Sequence, residues 1–323
     1  MCTAVAYTTR DRYFGRTLDV ERSYSKTVTV TPRKFKLPLR TLPSVEDHHA
    51  IIGMATVEEG FPLYYDAVNE HGLAMAALSF PQNAVYFPNH PSKLNLSPFE
   101  LIPYLLSCCR DLYEARRALE EINVCSIAFS EKLPLTPLHW LISHRHGCIT
   151  VESVTDGLKI YENPVEVLTN NPPFDYHMTR LRDHLNLTAR SPENRFGAVD
   201  LTPYSLGMGA VGLPGDLSSS SRFVRAAFVK LNSLSEPDEA ASVSQLFHIL
   251  GSVAQPRGCT RLSDGRHEIT EYTCCINTDR GIYYYTTYEN HCISALDMHK
   301  CDLDATELFV YPLATSQIIN MQN

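Results

Sequence analysis

The blockwise order of strand-like and helix-like segments constrains this chain most. Six short stretches open it: "CTAVAYTT", "RYFGRTLDV", "KTVTVTPR", "AIIGMATV", "PLYYDAVNE" and "GLAMAALSF". Each is rich in β-branched or aromatic residues and bounded by turn-forming or charged ones, as strands are. "TTRDR" and "NEHG" are the expected hairpin turns. The texture then changes at "NLSPFELIPYLLSCCRDLYEARRALEEINV". Ser97, Pro98 and Glu100 give the N-cap, first-position proline and first-turn acid of a helix start. Phe99, Ile102, Leu105 and Leu106 follow at helical spacing, Pro103 is a candidate kink, and Asp111 to Glu121 reads as a second helix. Strands return in "PLHWLISH", "CITVESV", "GLKIYEN" and "VEVLTNN". Helices are expected over "PFDYHMTRLRDHL" and from "SSSRFVRAAFVKLNSL" to "SVSQLFHILGSVA", then strands to the end. Strand runs separated by helix runs, without βαβ alternation, predict an α+β protein of antiparallel sheets with helices on their outer faces. With no Pro/Ser/Gly-rich linker in 323 residues, one domain over 1–323 is expected.

Composition narrows the function. A net charge of −8 argues against a nucleic-acid partner, which normally needs a dominant basic face. No apolar run reaches the ~18 residues of a membrane span, and no basic-then-apolar leader opens the chain. The expected compartment is the cytoplasm. The ten cysteines, without CxxC spacing, are then expected as free thiols, and the sequons at Asn95 and Asn186 carry no meaning.

Cys2 stands directly behind the initiator methionine. Loss of Met1 would leave it with a thiol and a free α-amino group, a nucleophile and a base on one residue. A hairpin of "CTAVAYTT" with "RYFGRTLD" would bring "FGRTLD" beside it, where Arg16 would favour the thiolate and Asp19 would orient the amine. The bland alternative for Arg16 and Asp19 is a surface ion pair. In "VLTNNPPFDYH", Asn170 and Asn171 are either turn residues or amide donors for an oxyanion. "VGLPGDLSSSSRF" combines a turn, a serine-rich helix start and Arg222, either an anion site or a capped helix. His48 with His49, and His144, His146 and Cys148 in "SHRHGCI", are metal candidates weighed against a solvated hairpin turn; no metal is expected. The run "GIYYYTTYEN" reads as a strand covered on both faces. HExxH, GxSxG and GxGxxG are absent.

"MCTAVAYTTRDRYFGRTLD", "YYDAVNEHGLAMAALSFP", "LPLTPLHWLIS", "VLTNNPPFDYH", "GLPGDLSSSSRFVRAAF" and "GIYYYTTYEN", collinear over essentially the whole chain, resemble the choloylglycine hydrolase family. The likeness is greater to its bile salt hydrolase branch than to its penicillin V acylases. The resemblance implies a four-layer αββα N-terminal nucleophile hydrolase with two antiparallel sheets between helical layers, working without a cofactor. It places the nucleophile on Cys2, the arginine beside it on Arg16, the aspartate on Asp19, the oxyanion asparagine on Asn170 and the helix-start arginine on Arg222. Ser79 falls where the bile salt branch usually carries asparagine and the penicillin branch tyrosine. An N–H at that position is supplied by either residue. Leu18, Phe129, Leu133 and Leu138 are the apolar wall implied for a steroid acid conjugated to glycine or taurine. A homotetramer is implied as well. Rival readings are a penicillin V or acyl-homoserine lactone acylase, and a silent steroid-binding homologue.

Overall fold

The computed structural model describes residues 1–22 and 25–323. The first strands are β1 (Cys2–Thr8), β2 (Arg12–Val20), β3 (Thr27–Thr31), β4 (Ile51–Glu58), β5 (Phe61–Asn69) and β6 (Ala74–Ser79), with β7 (Leu94–Leu96) after them. Helices α1 (Leu101–Cys108) and α2 (Leu112–Glu121) follow, then β8 (Ile122–Val124), β9 (Leu138–His144), β10 (Gly147–Val154), β11 (Gly157–Glu162) and β12 (Val167–Leu168). The remainder comprises α3 (Phe174–Leu181), α4 (Ser219–Asn232), α5 (Glu239–Gly251), β13 (Ile269–Asn277), β14 (Ile282–Thr287), β15 (Asn290–Asp297) and β16 (Phe309–Pro312).

Two antiparallel sheets result. One has six strands in the order β12-β1-β2-β13-β14-β15, the other eight in the order β11-β10-β9-β6-β5-β4-β3-β16. Both hairpin turns fall where the sequence places them, joining β1 to β2 and β5 to β6. A parallel pair, β7 with β8, brackets the helix pair and is absent from the sequence reading.

Strand alternation sorts the eight-stranded sheet into two cores. Ile52, Met54, Val68, Ala74, Ala76 and Leu78 face the six-stranded sheet, whereas Ile51, Ala55, Ala67, Met75 and Trp140 pack with Leu101, Leu105 and Leu119 of α1 and α2. On the other side Phe223, Ala227, Leu246 and Ile249 of α4 and α5 join Val5 and Cys275. Helix, sheet, sheet, helix is the stacking order, the fold class expected.

The helix start at Ser97 is a capping box: the Ser97 N–H donates to Glu100 Oε2 at 2.7 Å. It opens a 3-10 turn over Pro98–Glu100 that leads into α1. Asp111 caps α2, accepting from the Glu114 N–H at 2.9 Å. The third predicted helix stops at Leu181 and continues as a 3-10 turn over Arg182–His184. β14 alternates: Tyr283 and Tyr285 are buried while Ile282, Tyr284 and Thr286 are half-buried, so only one face is fully covered. All ten cysteines are unpaired thiols.

Candidate active site

Register places the candidate residues. Cys2 pairs with Leu18 across the β1–β2 ladder, and Ala4 pairs with Arg16. Cys2, Leu18 and Arg16 therefore share a face, the one toward the second sheet. Asp19, three positions from Arg16, has odd parity and faces the opposite way. Both are fully buried, so the surface ion pair does not form. Asp19 instead accepts from Thr270 Oγ1 at 2.6 Å and Thr17 Oγ1 at 3.3 Å.

On the other flank β1 pairs with β12, Ala4 opposite Leu168. Two residues further along this antiparallel register lies Asn170, beside Cys2. The Cys2 N–H donates to Asn170 Oδ1 at 2.8 Å, and Arg222 Nη2 donates to the same oxygen at 2.7 Å. Two donors on Oδ1 fix the amide's orientation, so Nδ2 is the donor face; it reaches the Ser79 carbonyl at 2.7 Å. Ser79, the last residue of β6 in the other sheet, thus meets Asn170 above Cys2. Asn171 points away, its Nδ2 donating to the Pro81 carbonyl.

Arg222 rises from the first turn of α4, which Ser218 opens. Its Nη1 donates to the Cys2 carbonyl at 2.6 Å and to Thr3 Oγ1 at 2.7 Å, and stands 3.9 Å from Asp19 Oδ2. Burial lowers its proton affinity, with Asp19 and Cys2 opposing. Arg16 lies on the far side of the same sheet: Nη1 donates to the carbonyls of Tyr65 at 3.0 Å and Ala77 at 2.7 Å, and Nε to Thr17 at 3.2 Å. Burial works against its charge, but Cys2, Tyr272 and Asp66 more than offset this, so Arg16 holds its proton above the usual range. The nucleophile candidate therefore has a buried cation on each face of its sheet.

Met1 is in place. Its ammonium donates to the Asp19 carbonyl at 2.6 Å and pairs with Glu268. Burial lowers its proton affinity, with Cys2 and Asp19 opposing.

The sequence reading missed the supports around Asn170. His177 Nε2 donates to the Asn170 carbonyl at 2.8 Å, leaving Nδ1 unpartnered, and burial lowers its pKa to about 4. His139 bridges Glu152 Oε1 at 3.0 Å and the Thr169 carbonyl at 2.8 Å, with Phe80 stacked on its ring at 4.3 Å. His139 was visible in "PLHWLIS", but alternation alone marks it only as a strand residue.

Of the apolar four, Leu18 packs beside Cys2 in the inter-sheet core. Leu138 is paired with Ser79. Phe129 and Leu133 belong to a third cluster, around Phe61 and Phe99, where Arg40 lies 4.9 Å from the Phe129 ring.

The metal candidates sort differently from their spacing. β9 ends at His144, and Arg145–His146 form the turn into β10, so His144, His146 and Cys148 do not share a strand face. His49 Nδ1 instead lies 3.1 Å from His71 Nε2, beside Glu70. The Glu70 carboxylate is already engaged by Arg33 at 2.6 Å and the Ala50 N–H at 2.8 Å. The serine-rich start of α4 is filled by the chain's own carboxylate: Asp216 accepts from the Ser218 N–H at 2.9 Å and from Ser221 Oγ at 2.5 Å. These bonds lower its pKa to about 2. The chain's own carboxylate thus stands where an outside anion would, while the Ser218 side chain makes no capping hydrogen bond, so neither reading of the sequence is met in full.

Residues 2–311 match the model of the linear amide C–N hydrolases, choloylglycine hydrolase family. The chain belongs to the choloylglycine hydrolase family. It is 51% identical over 314 residues to a bile salt hydrolase/transferase of Lactiplantibacillus plantarum, covering 97% of each chain. A bile salt hydrolase/transferase of Clostridium perfringens is 36% identical over 329 residues, the whole of both chains. A crystal structure of a conjugated bile acid hydrolase variant from the same organism superposes with a TM-score of 0.93 at 35% identity, again over the whole of both chains. Penicillin V acylase from Agrobacterium tumefaciens shares the fold, with a TM-score of 0.74 at 19% identity over 99% of this chain and 100% of that one.

Proposed function

We propose that this family member is a bile salt hydrolase, cleaving the amide between a steroid acid and glycine or taurine. The observation that carries the reading is the convergence of Asn170 and Arg222 on Cys2, with Arg16 and Asp19 on opposite faces of its strand pair. The names of the relatives supply the substrate class.

Removal of Met1 frees the Cys2 α-amino group, which takes the thiol proton while the thiolate attacks the amide carbon. The oxyanion that forms lies toward Asn170 Nδ2 and the Ser79 N–H, donors held by the scaffold before reaction. The C–N bond then breaks, the α-ammonium protonates the departing amine, and water releases the steroid acid from the thioester. Asp19 and Arg222 orient the amine and the first peptide; Arg16 stabilises the thiolate. Leu18, Phe129, Leu133 and Leu138 form the apolar wall, and no cofactor is required. A penicillin V acylase reading rests on likeness of fold alone.

The working unit is a single-domain subunit of a cytoplasmic homotetramer. Between α3 and α4 an arm leaves Phe196, Tyr204 and Leu206 exposed by 75, 89 and 93%, apolar surface that self-association would cover. No helix among the described residues is long and apolar enough to cross a membrane.

Alkylation tests the chemistry. Blocking Cys2 in Met1-trimmed protein should abolish glycine or taurine release, whereas release that survives complete modification of Cys2 would remove it as nucleophile.

A further inference from the structure

One buried acid has no part in the chemistry above. Asp66 sits in β5, fully buried, in the layer between the sheets. Its carboxylate crosses that layer to β13, which flanks β2, and to β14 beyond it. Oδ2 accepts from Tyr272 Oη; Oδ1 accepts from Tyr283 Oη at 2.7 Å and from Cys274 Sγ at 3.4 Å. All three partners donate, the arrangement a charged carboxylate requires. Burial pushes the Asp66 carboxyl above its usual range, which Arg16 and these donors oppose without cancelling.

Arg16 is the cation that answers it. Cys274 lies opposite Arg16 in the β2–β13 register, and Arg16 Nη1 donates to the carbonyl of Tyr65, the residue preceding Asp66. Its second anchor, Ala77, follows the residue paired with Asp66 across β5–β6. Arg16 thus rests on the backbone around Asp66, while its Nη2 is buried without a hydrogen-bond partner. Cys2 is on the same face of β1, one pleat along.

We propose that Asp66 is a positioning residue for the nucleophile: pinned by Tyr272 and Tyr283, its negative charge shares Arg16 with the Cys2 thiolate and so limits how much of the Arg16 charge serves the sulfur. The inference rests on the hydrolase reading only in taking Cys2 as the nucleophile. The titratable groups facing Asp66 are Arg16 from β2, Tyr272 and Cys274 from β13 and Tyr283 from β14, of which burial keeps all but Arg16 protonated and neutral. Those around Cys2 are Arg16, Asp19, Arg222 and the terminal amine.

Asp66→Asn removes the charge and keeps the contacts, because the amide oxygen still accepts while its NH2 donates to a tyrosine oxygen. Arg16 keeps its three backbone acceptors. The charge effect then dominates, and a thiol relieved of a nearby anion ionises more easily. The measurement is iodoacetamide alkylation of Cys2 against pH in Met1-trimmed protein, followed by peptide mass and needing no substrate. The expected result is a midpoint lowered by about one pH unit in Asp66→Asn, with Asp66→Ser shifted the same way. An unchanged or raised midpoint in either variant with native near-UV circular dichroism would overturn the proposal. Failure of both variants to fold would assign Asp66 to the core alone and retire it. A shifted midpoint in an enzyme that releases no glycine or taurine would sink the substrate assignment and leave this inference standing.

Discussion

Asn170 is held to Cys2 by its oxygen and aimed at Ser79 by its nitrogen, with 2.8 Å and 2.7 Å between the paired atoms. The amide orientation is set by the Cys2 N–H and Arg222, which leaves Nδ2 as the preorganised donor. Asn170→Ala should reduce kcat by about 10²- to 10³-fold with little change in KM, as expected for loss of one oxyanion donor. Steady-state kinetics with glycocholate check this; a change confined to KM would show that Asn170 binds the ground state instead.

Arg222→Ala should damage both stability and activity. The side chain satisfies the Cys2 carbonyl, Thr3 and Asn170 at once and stands 3.9 Å from Asp19 Oδ2. Breaking such a buried group costs about 3–5 kcal/mol. Urea unfolding should register it, and Arg222→Lys should recover only part, since one ammonium cannot span the same acceptors.

At Ser79 the hydroxyl makes no hydrogen bond among the described residues, while the backbone carbonyl meets Asn170. A residue working through its main chain tolerates a new side chain. Ser79→Ala should retain kcat/KM within about 3-fold, under ~0.7 kcal/mol of transition-state stabilisation. A 100-fold loss would give the hydroxyl a direct role.

His177 makes stability depend on pH. Its folded pKa, about 4, lies below the unfolded value of about 6.5, so the folded state binds the proton less readily. Stability from this site is fully present above the unfolded pKa. It falls as pH drops from about 6.5 toward 4, by ~3 kcal/mol in all. Urea midpoints measured across that range should show the decline, and His177→Gln should flatten it.

Local features were legible in the sequence because their causes are local. The Ser97–Glu100 box, the Asp111 cap and the turns at "TTRDR" and "NEHG" each follow from a few adjacent residues. What brings the site together is long-range. β2 finds its second neighbour in β13, some 250 residues away, so nothing near Asp66 announces Tyr272, Cys274 or Tyr283. For Arg16 and Asp19 a surface pair was the expectation from spacing, and strand parity with burial on both faces excludes it. His144 and His146 alternated in the sequence, but β9 ended between them. Asn170 and Arg222 stood out in the sequence as a strand-end amide and a helix-start cation, each with a structural alternative, whereas Ser79 came to notice through family resemblance alone.

Cysteine-dependent release of the amine is the most direct test of the central claim. Met1-trimmed protein, with removal verified by intact mass, is offered glycocholate, taurocholate and penicillin V in parallel, beside Cys2→Ala. The account predicts glycine or taurine release well above penicillin V cleavage, all of it lost in Cys2→Ala. Preferential cleavage of penicillin V, or no release from either bile salt by fully trimmed protein, would contradict it.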